Sequence, residues 1–176
     1  MLQLANLDDR TRRYMILEFE YDSSHNQVYI SPRLSPRGRA DWPGLLRESF
    51  LSGNHAALAS QLRLAGRLET REARQTKRGR VIGVNVPETA AETLAEGEFN
   101  RFYIRALCRR AVDYQISSLV IYRAKSVASP RPASELRIGK SIDPQKLLSD
   151  LRANIGVDPA LGVPAGPNSG LSVRLL

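Results

Sequence analysis

The chain has 176 residues, 42% of them hydrophobic, with 26 Lys and Arg against 18 Asp and Glu for a net charge of +8. That length suits one domain with a full core and room for an appendage. The single cysteine, Cys108, excludes an intramolecular disulfide and a thiolate zinc cluster and fits a reducing compartment. No apolar run near the N-terminus resembles a secretory signal, and none approaches the ~20 residues of a membrane helix, so a cytoplasmic protein without a membrane partner is expected.

Asp8 or Asp9 can cap a helix starting near Arg10, with Thr11, Tyr14, Met15 and Glu18 spaced three or four apart, although residues 16–21 also favour a strand. Turn chemistry at Ser23, Ser24, His25 and Asn26 then leads to a short predicted strand, Val28-Tyr29-Ile30. Pro, Gly and Arg alternate through residues 31–39, which predicts a basic loop carrying Arg33, Arg37 and Arg39. Ser-Pro-Arg occurs here at Ser31 and Ser35 and again at Ser129. Such units can present Arg to a narrow minor groove, but Ser-Pro is also an ordinary turn initiator, and that reading carries more weight.

Asp41 is expected to cap a helix with Trp42, Leu45, Leu46 and Phe50 on one face and Gly53 at its end. Asn54 restarts a second helix through Leu58, Leu62 and Ala65. Residues 61–80 hold seven basic side chains against Glu69 and Glu72, and the stretch ends in T-K-R-G-R, a loop or hairpin tip without an apolar anchor. Arg74, Lys77, Arg78 and Arg80 are therefore the leading candidates for phosphate contact, because basic residues on such a segment follow a backbone without reading sequence. The competing reading is a solvated, charged helix end.

Residues 81–86 alternate as a strand. The run that follows, 86–112, holds two apolar sets: Ala91, Leu94 and Ala95, then Phe99, Phe102, Tyr103, Ala106 and Leu107, rotated from the first by about 150°. With Gly97 at the mismatch, a helix over 88–96, a break and a second helix over 98–112 are predicted. Arg101, Arg105 and Arg109 form a stripe at i, i+4 and i+8, a second candidate nucleic-acid contact. A helix-turn-helix reading would want an apolar residue three past the glycine, where the chain has Asn100, so an ordinary core hairpin is preferred.

Ser118-Leu119-Val120-Ile121-Tyr122 is apolar on both faces and predicts a central strand, continued by Arg123 and Lys125 on one face as it leaves the core. Strand, helices, strand suggests a crossover unit. Asp143 with Pro144 starts a last helix to about Asn154, with Leu147, Leu148 and Leu151 inward. Residues 157–176 read as an extended Pro- and Gly-rich arm in which Leu171, Val173 and Leu175 alternate like an edge strand, closing its own sheet or adding to a neighbour's in a homo-oligomer or larger assembly.

The chemistry of common active sites is absent from the sequence. His25 and His55 are isolated, no Gly-rich loop is followed by Lys and a helix, and Cys108 lies on an apolar flank where a thiolate is disfavoured, so neither metal nor cofactor is expected. The expectation is one α+β or α/β domain over residues 1–156, a small mixed sheet holding 81–86 and 118–125 with helices packed on it, and the arm. The leading function is a basic, non-enzymatic nucleic-acid-associated or assembly protein. The alternatives are a nuclease-like enzyme whose acids, for example Glu18, Glu20, Asp22 and Glu98, converge only in the fold, and a structural subunit contacting only protein.

Overall fold

The structure is a computed structural model, and it describes residues 1–64, 66–156 and 169–175. The class is α+β. Helix α1 (Asp9–Ser24) starts where the Asp8 carboxylate accepts the Thr11 N–H at 2.7 Å. The strand-forming residues at 16–21 lie inside this helix because its Met15 and Phe19 side is buried in the core. The predicted strand at Val28-Tyr29-Ile30 does not form. Its central carbonyl is used by a side chain instead, Trp42 Nε1 donating to Tyr29 O at 2.8 Å.

The loop expected over 31–39 gives way to structure at Pro36, where α2 (Pro36–Leu51) begins. Ser35 caps it, its Oγ accepting the Gly38 N–H at 3.0 Å, and Pro36 fills the first turn, where a missing N–H costs nothing. Asp41, the expected cap, therefore lies inside the helix and accepts Arg67 Nε at 2.8 Å. Gly38 is required for space: a Cβ there would lie 2.0 Å from the Arg67 carbonyl oxygen. Helix α3 (His55–Arg63) is capped by Asn54, as its sequence implies.

Strands β1 (Arg71–Gln75) and β2 (Val81–Asn85) form a two-stranded antiparallel hairpin. The expected sheet joining β2 to the strand near 120 does not form. A three-residue turn, Lys77-Arg78-Gly79, with Gly79 at φ +80° lets β2 pair with its immediate neighbour at little loop-closure cost.

Helix α4 (Ala90–Asp113) runs unbroken for 24 residues, contrary to the predicted break at Gly97. Both apolar sets are buried, apart from half-buried Leu94, because the helix is packed on several sides: α1, α3 and α6 lie against it, and β5 covers part of it. A helix enclosed in this way needs no kink to hide a second face. Phe99 and Phe102 join Phe19 and Phe50 in an aromatic cluster with ring centroids 4.9–6.2 Å apart.

The second sheet contains β3 (Leu119–Arg123), β4 (Ser141–Ile142) and β5 (Leu171–Arg174) in the order β4-β3-β5, with α5 (Pro132–Glu135) and α6 (Pro144–Ala153) in the connections. β3 is central, as its two apolar faces imply. Both neighbours run antiparallel to it, so the expected crossover is absent among the described residues. Asp143 caps α6, and Leu147, Leu148 and Leu151 face inward. The last strand joins the chain's own sheet, with Leu171 and Val173 buried, whereas most of the preceding arm, residues 157–168, lies outside the described residues. Among the described residues no helix is long and apolar enough to cross a membrane.

Candidate nucleic-acid interface

The β1–β2 hairpin is a ribbon attached to the body at one end. At its base the Leu34–Leu68 bridge and the Glu69 N–H donating to Arg33 O at 2.9 Å join the chain before β1 to the start of α2. The Arg33 guanidinium grips Glu72 with two hydrogen bonds of 2.6 and 3.1 Å, holding its carboxyl below the usual carboxylate range. At the far end the Thr76 N–H donates to Arg80 O at 2.8 Å and closes the turn.

Residues directly opposite one another in an antiparallel pair point to the same side. The register therefore sorts the ribbon into two faces. Glu72 and Val84, a facing pair, are half-buried towards the body, with Arg74 and Ile82 beyond them. Arg71, Ala73 and Gln75 share the other face with Asn85, Gly83 and Val81, and all six are exposed.

Residues 71–85 carry five cationic side chains, Arg71, Arg74, Lys77, Arg78 and Arg80, and one acid, Glu72, which Arg33 already holds. Arg74 stands 3.9 Å from Glu72 with 62% of its side chain exposed. Lys77, Arg78 and Arg80 are exposed at the turn, and none of them forms an ion pair among the described residues. Four of the residues predicted from sequence are thus brought together at one projecting tip.

The helical stripe has a different fate. Arg105 is fully buried: Asp22 accepts from Nη1 and Nη2 at 2.7 Å each, and Glu18 accepts from Nε at 3.0 Å. Burial works against this charge, but the two carboxylates outweigh it and raise the Arg105 pKa. Glu18 also holds Arg152, at 2.6 and 3.0 Å, and Arg109, at 3.4 Å. Buried Arg101 donates to the Leu151 and Asn154 carbonyls at the C-terminal end of α6, where a cation suits the helix dipole. Arg101 and Arg105 are consumed inside the fold, and Arg109 keeps only an exposed edge.

The remaining candidates are scattered and mostly engaged. Arg37 is exposed and lies 3.8 Å from Asp41, and Arg39 Nε donates to Leu34 O at 3.0 Å. Arg123 contacts Glu135 and the Ser169 carbonyl, and Lys125 contacts Glu96.

Of the four acids named as a possible catalytic group, Glu18, Asp22 and Glu98 do converge, around Arg105, while Glu20 is exposed. Burial pushes the Glu98 carboxyl up to about 7, with Arg101 and Arg105 pulling against it. The cluster ties α1, α4 and α6 together; both Glu18 oxygens are occupied by guanidinium groups rather than open to a ligand. Among the described residues no group of three or more His, Cys, Asp and Glu is placed to hold a metal ion. A depression of about 180 Å³ beside His55 is lined by Met1, Arg63, Glu92 and Glu96, but its polar groups are largely engaged. Arg63 pairs with Glu92, Lys125 with Glu96, and the Leu2 N–H donates to His55 Nε2 at 3.2 Å. That bond requires the neutral ring, in keeping with the lowering of the His55 pKa by burial.

No protein-family model, curated protein or solved structure matches this chain. Its functional reading therefore rests on geometry alone. Two ribbon residues, Gln75 and Asn85, are not among those the sequence singles out. The signal for them lies in the Gly79 turn, which fixes the register and hence which side chains share a face.

Proposed function

We propose that this chain is a non-enzymatic nucleic-acid-binding protein whose β1–β2 hairpin grips the phosphate backbone. The observation that carries the reading is the charge imbalance of the ribbon: Arg74, Lys77, Arg78 and Arg80 project together, while Glu72, the one acid between residues 71 and 85, is already held by Arg33. Such a segment attracts a polyanion and releases its counterions on binding. The nuclease-like alternative draws on the meeting of Glu18, Asp22 and Glu98, but guanidinium groups saturate Glu18 and bind Asp22 bidentately, which suits a structural lattice better than a metal-assisted reaction.

The test is the salt dependence of binding to DNA. Neutralising Arg74, Lys77, Arg78 and Arg80 to Gln or Ser should weaken binding and flatten the log–log salt slope by up to about 0.9 for each phosphate that is no longer neutralised. An unchanged slope removes the hairpin from the interface.

A further inference from the structure

We infer that the partner is double-stranded DNA and that the ribbon enters its major groove, with Arg71, Gln75 and Asn85 turned to the base edges. This rests on the nucleic-acid reading above and narrows it to one substrate and one binding mode.

The shape of the ribbon favours duplex DNA. Two strands lie about 4.8 Å apart before their side chains are counted, and with side chains on both edges the ribbon suits a major groove about 12 Å wide, whereas a minor groove of about 6 Å would have to be widened to admit it. The major groove of an A-form RNA helix is deep and narrow, and it excludes the same ribbon.

The outward face of the ribbon carries the chemistry of base edges. Arg, Gln and Asn are the side chains whose paired donors and acceptors match guanine and adenine edges, and an apolar group such as Val81 suits a thymine methyl. Here Arg71, Gln75 and Asn85 stand on one exposed face with the small residues Ala73 and Gly83 between them, and the Arg71 guanidinium lies across Gly83, where no side chain competes for the space. Arg71 spends one N–H on the Gly83 carbonyl at 3.1 Å and Gln75 one on the Gly79 carbonyl at 3.4 Å; the other N–H groups of Arg71, and the second amide N–H and the carbonyl oxygen of Gln75, remain to meet a base.

The composition of the ribbon favours a duplex over a single strand. Proteins that hold single strands stack the bases on aromatic rings. Residues 71–85 contain no Phe, Tyr or Trp. What the ribbon has instead is a polar reading face flanked by cations at the tip, the division of labour in which phosphate contacts position and base contacts specify.

The experiment measures binding of the full chain to three probes of one mixed sequence: a DNA duplex, an RNA duplex and single-stranded DNA. The DNA duplex should be preferred over each of the others by about tenfold or more, and a major-groove ligand such as methyl green should compete where the minor-groove ligand netropsin does not. Duplexes enriched by the protein from a random pool should then lose affinity about tenfold for the double variant Gln75→Ala with Asn85→Ala, with an unchanged salt slope, because neither residue carries charge. Both side chains are exposed, so the thermal midpoint of that variant, read alongside, should match wild type. Equal binding to the three probes, competition by netropsin alone, or full affinity in a folded double variant overturns the inference while leaving the hairpin's backbone contact intact. A wild-type chain that binds none of the probes overturns both.

Discussion

Arg105 and Asp22, 83 residues apart in sequence, meet through two hydrogen bonds of 2.7 Å in the interior, with no exposure at the Arg105 side chain. Removing one member of a buried pair costs far more than the pair contributes, because the partner charge stays behind without a counterion. Arg105→Ala should therefore destabilise the fold by about 3–5 kcal/mol in urea unfolding. Arg105→Lys should recover little of this, since a point charge cannot reproduce the fork that spans Asp22 and Glu18. A variant with wild-type stability and impaired DNA binding would place Arg105 at the interface instead.

Glu98 links stability to pH. Its ordinary value is 4.5, and burial raises the carboxyl to about 7 in the fold. A folded-state pKa above the unfolded one means that the native state holds the proton over this range while the unfolded chain has lost it. This contribution is complete below the unfolded pKa, declines as pH rises through the window and is gone above the folded pKa. Thermal midpoints measured across that window should fall with rising pH for wild type and less steeply for Glu98→Gln. Parallel curves for the two proteins would remove Glu98 as the source.

Gly97 and Gly38 should respond in opposite senses to alanine. A Cβ at Gly97 meets nothing within 4 Å, and the residue lies inside a continuous helix. Gly97→Ala should stabilise by about 0.5–1 kcal/mol through lower unfolded-state entropy and better helix propensity. Gly38→Ala must move the Arg67 backbone and should lower the melting temperature. A destabilised Gly97→Ala protein would mean that the helix breaks there after all.

Asn100 fastens the last strand. It is buried, its Nδ2 donates to Leu171 O at 2.9 Å, and its Oδ1 accepts the Ser172 hydroxyl at 2.7 Å. Asn100→Ala leaves two buried groups unsatisfied and should cost about 2–6 kcal/mol, at roughly 1–3 kcal/mol per group. Because Ser172 shares the network, Ser172→Ala in the same chain should cost less than its single effect adds. Full additivity in denaturant titrations would disconnect the pair.

What is legible in the sequence is local. Asp8, Asn54 and Asp143 announce their helices because a cap is a contact across three residues, and 118–122 announces a central strand because both of its faces are apolar. The same locality exposes the hairpin tip at Lys77, Arg78 and Gly79. Features decided by distant partners stay hidden. An Arg repeated every fourth residue looks the same whether it faces water or Glu18, which lies 87 residues from Arg105. The continuity of α4 depends on distant elements closing around it, Phe19 of α1 and Phe50 of α2 against the Phe99 and Phe102 rings among them, and none of these contacts can be read from 86–112. Asn100 stands out in the sequence as a polar residue out of place, and its reason becomes visible only with β5 beside it.

The anchoring of the ribbon bears on how tightly it can bind. A two-stranded hairpin alone in water is at best marginally stable, so a free peptide of residues 70–86 would have to order itself on contact with DNA. In the whole protein the Leu34–Leu68 bridge and the Arg33–Glu72 pair hold the base of the strands before any partner arrives. The ordering entropy is then met during folding of the body rather than during association. For the DNA binding proposed above, that preorganisation should give the intact chain an affinity advantage over the excised hairpin, although the two present the same side chains at the tip.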